Sequence, residues 1–193
     1  MTSKSSLIAG NPGLSGPLAW LSADAADALP EDPGLRGWLL DVGSLTSRLR
    51  RACNDGFRLE LLGEADEAVP GDARPLLDFD MARARRVRMF CGATLCVCAT
   101  TLMPGVTLAG DPWLAKLGDR PLGDALLERG GIHRSAFEYT RTDPDHPLFA
   151  PALEGIDIRP AWVWARRSLF SLAAGRLLVY EIFLPGLTRC RIR

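Results

Sequence analysis

Two long stretches of the chain are rich in apolar and β-branched residues, and small residues interrupt each of them once. Residues 82–104 contain Gly92 near their middle, and residues 162–185 contain an Ala-Ala-Gly sequence at positions 173–175. Runs of this composition with a central turn are typical of antiparallel hairpins. The pattern therefore predicts two long β-hairpins, the first turning near residues 91–94 and the second near residues 173–175.

Shorter segments around the hairpins have periodicities of their own. Leu45 and Leu49 lie one helical turn apart, and Ser44 precedes them in the position of an N-cap, which predicts a helix over residues 45–52. Residues 57–61 alternate apolar and polar side chains, which predicts a half-exposed strand. The other predicted elements are a helix over 33–42, a surface loop over 63–80, two short helices starting at Pro112 and Pro121, a strand over 133–142 and a loop over 143–160.

The order of these elements contains no strand–helix–strand repeat. It predicts an α+β fold, in which long hairpins form an antiparallel β-sheet and helices pack on part of it. A length of 193 residues is typical of a single domain. Residues 1–32 are rich in Gly, Pro, Ala, Ser and Asp, so we expect a loosely ordered leader there and one domain over residues 33–193.

The composition argues against several classes of protein. Hydrophobic residues make up 47% of the chain and charged residues 24%, as in ordinary globular proteins. Basic and acidic side chains number 23 each, so no excess positive charge draws the chain to nucleic acid or to an anionic membrane. The chain shows neither a secretory signal nor an apolar run of the ~20 residues that span a bilayer. We therefore expect a cytoplasmic protein.

The cysteines and histidines predict neither a disulfide framework nor a metal site. The five cysteines are odd in number and irregularly spaced. Cys96 and Cys98 alternate along a predicted strand, so we expect their side chains on one face of the sheet. A zinc site needs about four ligands, however, and His133 and His146 are the only histidines. The sequence also lacks a glycine-rich phosphate loop, a G-x-S-x-G motif and an H-E-x-x-H motif.

One carboxyl group interrupts a strongly apolar strand. Glu181 follows residues 177–180 and precedes residues 182–184, and both faces of this strand are apolar. A buried carboxylate is costly unless it meets a cation or hydrogen-bond donors, or stays protonated. Glu181 is therefore either half of a structural ion pair or a carboxyl group that points into a pocket.

The arginines of the two hairpins supply candidate cations. Counting by twos places Arg85 on the apolar face of the first strand, with Arg86 and Arg88 on the opposite, solvated face. A guanidinium binds a carboxylate through two parallel hydrogen bonds. Arg85 and Glu181 thus indicate a pocket for a small ligand that carries a carboxylate and a hydroxyl group. Arg166 and Arg167 point to opposite faces of their strand, and either could provide a second cation.

Several short motifs, in their order along the chain, resemble the chorismate pyruvate-lyase family. The resemblance extends from Trp38 to Pro185, about three quarters of the chain. The motifs are Trp38-Leu-Leu, Ser44-Leu45-Thr46, Arg85-Arg-Val-Arg-Met, Thr101-Leu-Met-Pro104, Leu117-Gly-Asp-Arg-Pro-Leu122-Gly, Trp164-Ala-Arg-Arg-Ser168 and Leu177-Leu-Val-Tyr-Glu181-Ile-Phe-Leu-Pro185.

The resemblance implies a lyase that splits chorismate into 4-hydroxybenzoate and pyruvate without a metal or cofactor. It implies that Arg85 holds the ring carboxylate, with Arg86 in that role if the register slips by one. Leu122 would contact the ligand through its backbone, and Glu181 would meet the ring hydroxyl. Leu45 would line the pocket, where the family has a methionine. The resemblance also implies a monomer, with no nucleic-acid or membrane partner.

Two other functions compete with this interpretation. Effector-binding domains of some GntR-type regulators resemble the same fold, so the chain could be a non-catalytic sensor of hydroxybenzoate-like molecules. Against a sensor, residues 1–32 are too short and too rich in Pro and Gly to form a winged-helix DNA reader. A related enzyme that makes a different hydroxybenzoate is the second alternative. For the lyase itself, concerted hydrogen transfer and acid-assisted ether cleavage both stay open.

Overall fold

The computed structural model describes residues 18–53, 56–156 and 160–190. Within them, one antiparallel sheet of seven strands has the order β1-β2-β3-β7-β6-β4, and β5 also pairs with β6. The predicted α+β class is confirmed. The strands are β1 (Phe57–Ala68), β2 (Met81–Cys91), β3 (Thr94–Met103), β4 (His133–Arg134), β5 (Glu138–Thr142), β6 (Val163–Leu172) and β7 (Gly175–Phe183).

Both predicted hairpins are present, and β3 pairs with β7 to join them in the middle of the sheet. Gly92 turns the first hairpin with a φ of +60°, a conformation that glycine adopts without steric cost. The second hairpin turns at residues 173–174, as predicted. The central position of β3 and β7 means that residues on their inward faces lie among side chains from both hairpins.

The helices are short and pack around this sheet. They are α1 (Pro33–Leu40), α2 (Leu45–Cys53), α3 (Arg74–Leu77), α4 (Gly105–Gly110), α5 (Leu122–Glu128) and α6 (Ala150–Leu153), with 3-10 helices at Ala23–Ala28, Leu114–Lys116 and Pro185–Arg189. Ser44 caps α2 as predicted, since its Oγ accepts a hydrogen bond from the backbone N–H of Ser47 at 3.1 Å.

The prediction of a surface loop over residues 63–80 is wrong, because β1 continues to Ala68 and α3 follows it. Acidic residues in the second half of β1 are paired with arginines of β2. Asp66 lies 2.6 Å from Arg83, and Glu67 lies 2.6 Å from Arg86. A charged edge strand resists pairing with another chain, and its composition is easily taken for that of a loop.

The segments between and after the hairpins differ in detail from their predictions. The helix predicted from Pro112 is the 3-10 helix Leu114–Lys116, and Pro121 is the N-cap residue of α5 rather than its first residue. The strand predicted over 133–142 is divided into β4 and β5, and the loop over 143–160 contains α6. Local propensity does not reveal such breaks because tertiary contacts decide where short elements end.

Part of the predicted leader packs against the domain. Residues 1–17 lie outside the described residues. Leu21 exchanges backbone hydrogen bonds with Tyr139, and Leu29 is buried. The indole of Trp20 donates a hydrogen bond to Asp72 at 2.8 Å and lies 5.7 Å from the ring of Tyr180.

Two expectations about the cysteines are wrong. Cys53 and Cys91 form a disulfide that joins the end of α2 to the end of β2, across 38 positions of sequence. Spacing alone does not show that a helix end and a strand end meet in space. Cys96 and Cys98 lie on opposite faces of the sheet, because the register shifts between Met89 and Phe90 and makes Cys96 an extra residue in β3.

The sheet separates two regions of core. One face packs against α3, α6 and the side chains of Leu18 and Trp20, around Phe149 and Tyr180. The other face carries two clusters, one around Leu39 and Val97 and the other around Met103 and Leu177. Residues of both clusters line a cavity on this face. Among the described residues, no helix has both the length and the apolar character needed to cross a bilayer.

Candidate active site

A cavity of about 360 Å³ lies between the two apolar clusters on one face of the sheet. Its floor is formed by β2, β3, β6 and β7, and the N-terminal end of α2 and the helix α5 cover it. The four residues that the sequence singled out all line this cavity. They are Arg85, Leu122, Glu181 and Leu45.

Arg85 is a buried cation at this cavity, with 2% of its surface exposed. One Nη donates hydrogen bonds to the carbonyl oxygens of Gly118 and Arg120, at 2.8 and 3.1 Å. Its Nε lies 3.3 Å from a carboxylate oxygen of Glu64 but has no hydrogen-bond partner among the described residues. Burial lowers the pKa of the guanidinium, and the carboxylates of Glu64 and Asp119 partly offset that shift. The site therefore holds a desolvated cation with unused donor capacity.

Glu181 reaches the same cavity from β7, and its cation partner is Arg166 on the neighbouring strand rather than Arg85. The side chain of Glu181 is 16% exposed, and that of Arg166 is 1% exposed. Arg166 also donates to the backbone carbonyls of Leu39 and Asp41, at 2.9 and 2.7 Å. The sequence left two alternatives for Glu181, a structural ion pair or a carboxyl group in a pocket. Both are correct, because Glu181 pairs with Arg166 and also lines the cavity.

Arg166 and three other arginines considered from the sequence are not among the residues that line the cavity. Arg86 lies on the opposite face of β2 and makes two hydrogen bonds of 2.6 Å to Glu67. Arg167 lies on the opposite face of β6, where it pairs with Asp72 and Glu138 at 2.8 Å. Arg86 and Arg88 are half-buried rather than solvated, because helix α6 and its neighbouring loop pack near them. The register therefore favours Arg85 over Arg86.

Arg134, which the sequence reasoning passed over, is a second cation at the cavity. Its guanidinium donates to the carbonyl oxygens of Val42 and Gly43 and lies 4.5 Å from the ring centre of Phe137. Burial and the nearby Arg166 lower the pKa of Arg134, while Glu181 acts in the opposite direction. Arg134 was hard to predict as a site residue because its strand has only two residues. So short a strand shows no alternation of apolar and polar positions that would predict where the side chain points.

A cluster of polar contacts holds the cover of the cavity in place. Asp124 of α5 accepts hydrogen bonds from Ser44 and Ser47 at 3.3 and 3.4 Å, and from Arg50 of α2 at 2.6 Å. We call these four residues the α2–α5 clasp. Because Ser44 and Leu45 begin α2 while Leu122 begins α5, the clasp joins the two segments that separate the cavity from solvent.

The chemistry of the cavity is that of a partly enclosed site for an organic anion. Its lining is mainly apolar, with leucine, valine, methionine and phenylalanine side chains around Arg85, Arg134 and Glu181. Two cations and one carboxylate leave an excess of positive charge that suits a dianionic ligand with a hydroxyl group. Water exclusion strengthens each of these interactions.

Comparison with known proteins identifies the family. The family model described as "Chorismate lyase" matches residues 16–191. A relative from Thiobacillus denitrificans, named "Probable chorismate pyruvate-lyase", is 39% identical over 157 residues, which cover 79% of this chain and 83% of that protein. A relative of the same name from Nitrosomonas europaea is 35% identical over 178 residues, covering 90% of this chain and 97% of the relative.

The fold also occurs in a solved effector domain. The effector domain of PhnF from Mycobacterium smegmatis matches with a TM-score of 0.52 and 16% identity, over 76% of this chain and 91% of that one. At that identity the likeness concerns the fold alone. The family model and the relatives extend over most of the chain, so the protein belongs to the chorismate lyase family and is a lyase.

Proposed function

We propose that the protein converts chorismate to 4-hydroxybenzoate and pyruvate in the cavity between the two hairpins. One observation carries the proposal: Arg85 and Glu181 reach the same partly enclosed, largely apolar cavity from separate hairpins. The cavity volume of about 360 Å³ suits a small aromatic acid. The names of the relatives support chorismate as the substrate.

The charges of the cavity match those of this substrate. Chorismate carries a ring carboxylate, a second carboxylate on its enolpyruvyl group and a ring hydroxyl. We assign Arg85 to the ring carboxylate, since it is a buried cation that lines the cavity. We assign Arg134 to the enolpyruvyl carboxylate and Glu181 to the ring hydroxyl. The backbone of Leu122, at the start of α5, would contact the ring.

The reaction requires little chemistry from the protein. The bond between the ring and the enolpyruvyl oxygen breaks, and the hydrogen of the neighbouring ring carbon moves to the methylene carbon of the enolpyruvyl group, which leaves as pyruvate. The electron pair of the broken ring C–H bond completes the aromatic ring. Aromatisation supplies the driving force, so the protein's task is to bind, orient and exclude water. Glu181 is already ion-paired with Arg166, and we therefore assign it as the acceptor of the hydroxyl hydrogen bond rather than as a proton donor. This assignment favours the concerted route over acid-assisted cleavage.

Incubation of the purified chain with chorismate and EDTA tests the proposal. We expect equal amounts of 4-hydroxybenzoate and pyruvate, identified by chromatography, at a rate that depends on protein concentration. Binding of 4-hydroxybenzoate without any turnover of chorismate would indicate a sensor instead. A different hydroxybenzoate isomer would indicate a related enzyme.

Arg134→Ala is expected to weaken substrate binding selectively. A hydrogen bond to a charged group contributes about 1.5–3 kcal/mol, so the KM for chorismate should rise about tenfold or more. Inhibition by 4-hydroxybenzoate should change little, because that product lacks the enolpyruvyl carboxylate. Steady-state kinetics with both ligands measure the two effects. Arg141→Ala is the control, since Arg141 is exposed and lies over Trp162, away from the cavity. Equal losses for substrate and product would contradict the assignment.

Asp124→Ala is expected to open the cover of the cavity by removing the α2–α5 clasp. The dissociation rate of 4-hydroxybenzoate should rise severalfold, because the hydrogen bonds that join α2 to α5 are then lost. Stopped-flow displacement of the bound product measures this rate. Glu128→Ala provides a control on the same helix, since Glu128 forms an exposed ion pair with Arg120. An unchanged dissociation rate in Asp124→Ala would show that the clasp does not limit product release.

A further inference from the structure

Four of the five cysteines come together from four separate segments of the chain. Cys53 ends α2, Cys91 ends β2, Cys96 lies near the start of β3, and Cys190 follows the 3-10 helix Pro185–Arg189. The Sγ atoms of Cys53, Cys91 and Cys190 all lie within 4.8 Å of one another. The Sγ of Cys96 lies 3.3 Å from that of Cys190. We call these four residues the sulfur cluster.

The cluster has more sulfur atoms than its disulfide uses. Cys53 and Cys91 are bonded to each other, while Cys96 and Cys190 are free thiols and are both buried. None of the four is among the described residues that line the cavity. The fifth cysteine, Cys98, lies on the other face of the sheet, where its thiol contacts the carbonyl oxygen of Ala152 at 3.4 Å.

We propose that the reduced sulfur cluster binds one thiophilic divalent metal ion, such as Zn²⁺. Zinc–thiolate bonds of about 2.3 Å in a tetrahedron place the sulfur atoms about 3.8 Å apart. The sulfur atoms of Cys53, Cys91 and Cys190 lie within 4.8 Å of one another, close to that value. Cys96 lies outside this group of three but contacts Cys190 at 3.3 Å, so its thiol must shift towards the other two to complete the tetrahedron. Cys53, Cys91 and Cys190 are the first three ligands, and Cys96 is the fourth. Sulfur ligands favour zinc and similar soft ions over magnesium or calcium.

Reduction must precede metal binding. A dithiol reductant transfers two electrons and two protons to the Cys53–Cys91 disulfide and becomes a disulfide itself, which leaves four thiols in the cluster. A divalent ion then displaces four protons, and the resulting tetrathiolate centre carries a net charge of −2. Basic residues lie near two of the ligands in sequence, Arg51 two positions before Cys53 and Arg189 directly before Cys190. The disulfide and the metal are therefore alternative states of one centre.

The metal would hold α2 against the sheet as the disulfide does. Cys53 is the last residue of α2, whose first residues, Leu45 and Thr46, line the cavity. Either state of the sulfur cluster thus fixes the helix that forms one wall of the site. This inference is independent of the substrate proposed above, since a metal-binding measurement tests it without any assay of turnover.

Titration of the reduced, full-length chain with Cd²⁺ tests the proposal. The chain is reduced with a phosphine, desalted without oxygen, and titrated while the ultraviolet thiolate-to-cadmium charge-transfer band is recorded and bound metal is counted. We expect one Cd²⁺ per chain, displaced by Zn²⁺. The oxidised chain, with its disulfide intact, should bind at least tenfold more weakly. The absence of a saturable band in the reduced chain would overturn the proposal.

Variants identify the ligands. Cys190→Ser should lower the affinity for Cd²⁺ at least tenfold, and Cys98→Ser, which changes a buried cysteine of β3 outside the cluster, should leave it unchanged. Equal affinity in Cys190→Ser and in the wild-type chain would refute the ligand assignment. If circular dichroism shows that Cys190→Ser does not fold, Cys53→Ser at a half-buried position replaces it. The comparison of reduced with oxidised wild-type chain decides the main question without any variant.

Discussion

Replacing Arg85 by alanine is expected to lower the turnover of chorismate by about 10²-fold or more, because the ring would lose the cation that positions it. The effect should appear in kcat/KM for chorismate and in the affinity for 4-hydroxybenzoate, since both molecules carry the ring carboxylate. Steady-state kinetics and isothermal titration with the product measure the two quantities. Arg83→Ala is the matched control, because Arg83 lies two residues away on β2 and makes an exposed ion pair with Asp66.

Loss of folding must be distinguished from loss of binding in this variant. Alanine at position 85 leaves the carbonyl oxygens of Gly118 and Arg120 without their donor, so some destabilisation is expected. Arg85→Lys keeps the charge but removes the planar pair of donors, and it should fold while still losing most of the activity. Normal chorismate turnover in Arg85→Ala would refute the assignment of this residue.

Replacing Glu181 by glutamine is expected to lower kcat by about 10²-fold, which corresponds to about 2.7 kcal/mol of lost transition-state stabilisation. The amide keeps the shape of the side chain but accepts a weaker hydrogen bond from the ring hydroxyl than a carboxylate does. It also leaves the buried Arg166 without its ion-pair partner. We therefore expect a lower melting temperature as well, and kcat must be measured well below that temperature.

The control for this variant repeats the same chemical change elsewhere. Glu138→Gln removes the carboxylate that lies 2.8 Å from Arg167, on the face of the sheet opposite the cavity. We expect that variant to lose some stability and to keep its kcat. If Glu181→Gln matches the wild-type rate and product affinity, the carboxylate of Glu181 has no part in the reaction.

Much of the sheet could be predicted from local pattern. Both hairpins, their turns and the cap at Ser44 follow from residue types whose preferences act over a few positions. The inward direction of Arg85 was also predictable, because side chains alternate along a strand and Val87 and Met89 share its face. Segments with weaker patterns were less predictable. The acidic half of β1 has the composition of a loop, and only its ion pairs with the arginines of β2 explain why it forms a strand.

Contacts between segments that are distant along the chain could not be predicted from the sequence. The choice of Arg166 as the partner of Glu181 depends on the register of β6 against β7, which sets the two residues opposite each other. The position of Arg134 depends on the pairing of the two-residue strand β4 with β6, which sets Arg134 opposite Phe170. The placement of Cys96 and Cys98 on opposite faces of the sheet depends on a single extra residue in β3, because that residue reverses the faces of the residues beyond it.

The sequence by itself determined the class of fold, the two hairpins and the presence of a cation and a carboxyl group on apolar strand faces. These features arise from local sterics and from the cost of burying charge, which act wherever such residues occur. Only the tertiary structure decided that Arg85 and Glu181 share one cavity, that Arg134 joins them, and that four cysteines meet. Those juxtapositions follow from how the hairpins, helices and chain ends pack, and packing depends on all the residues at once.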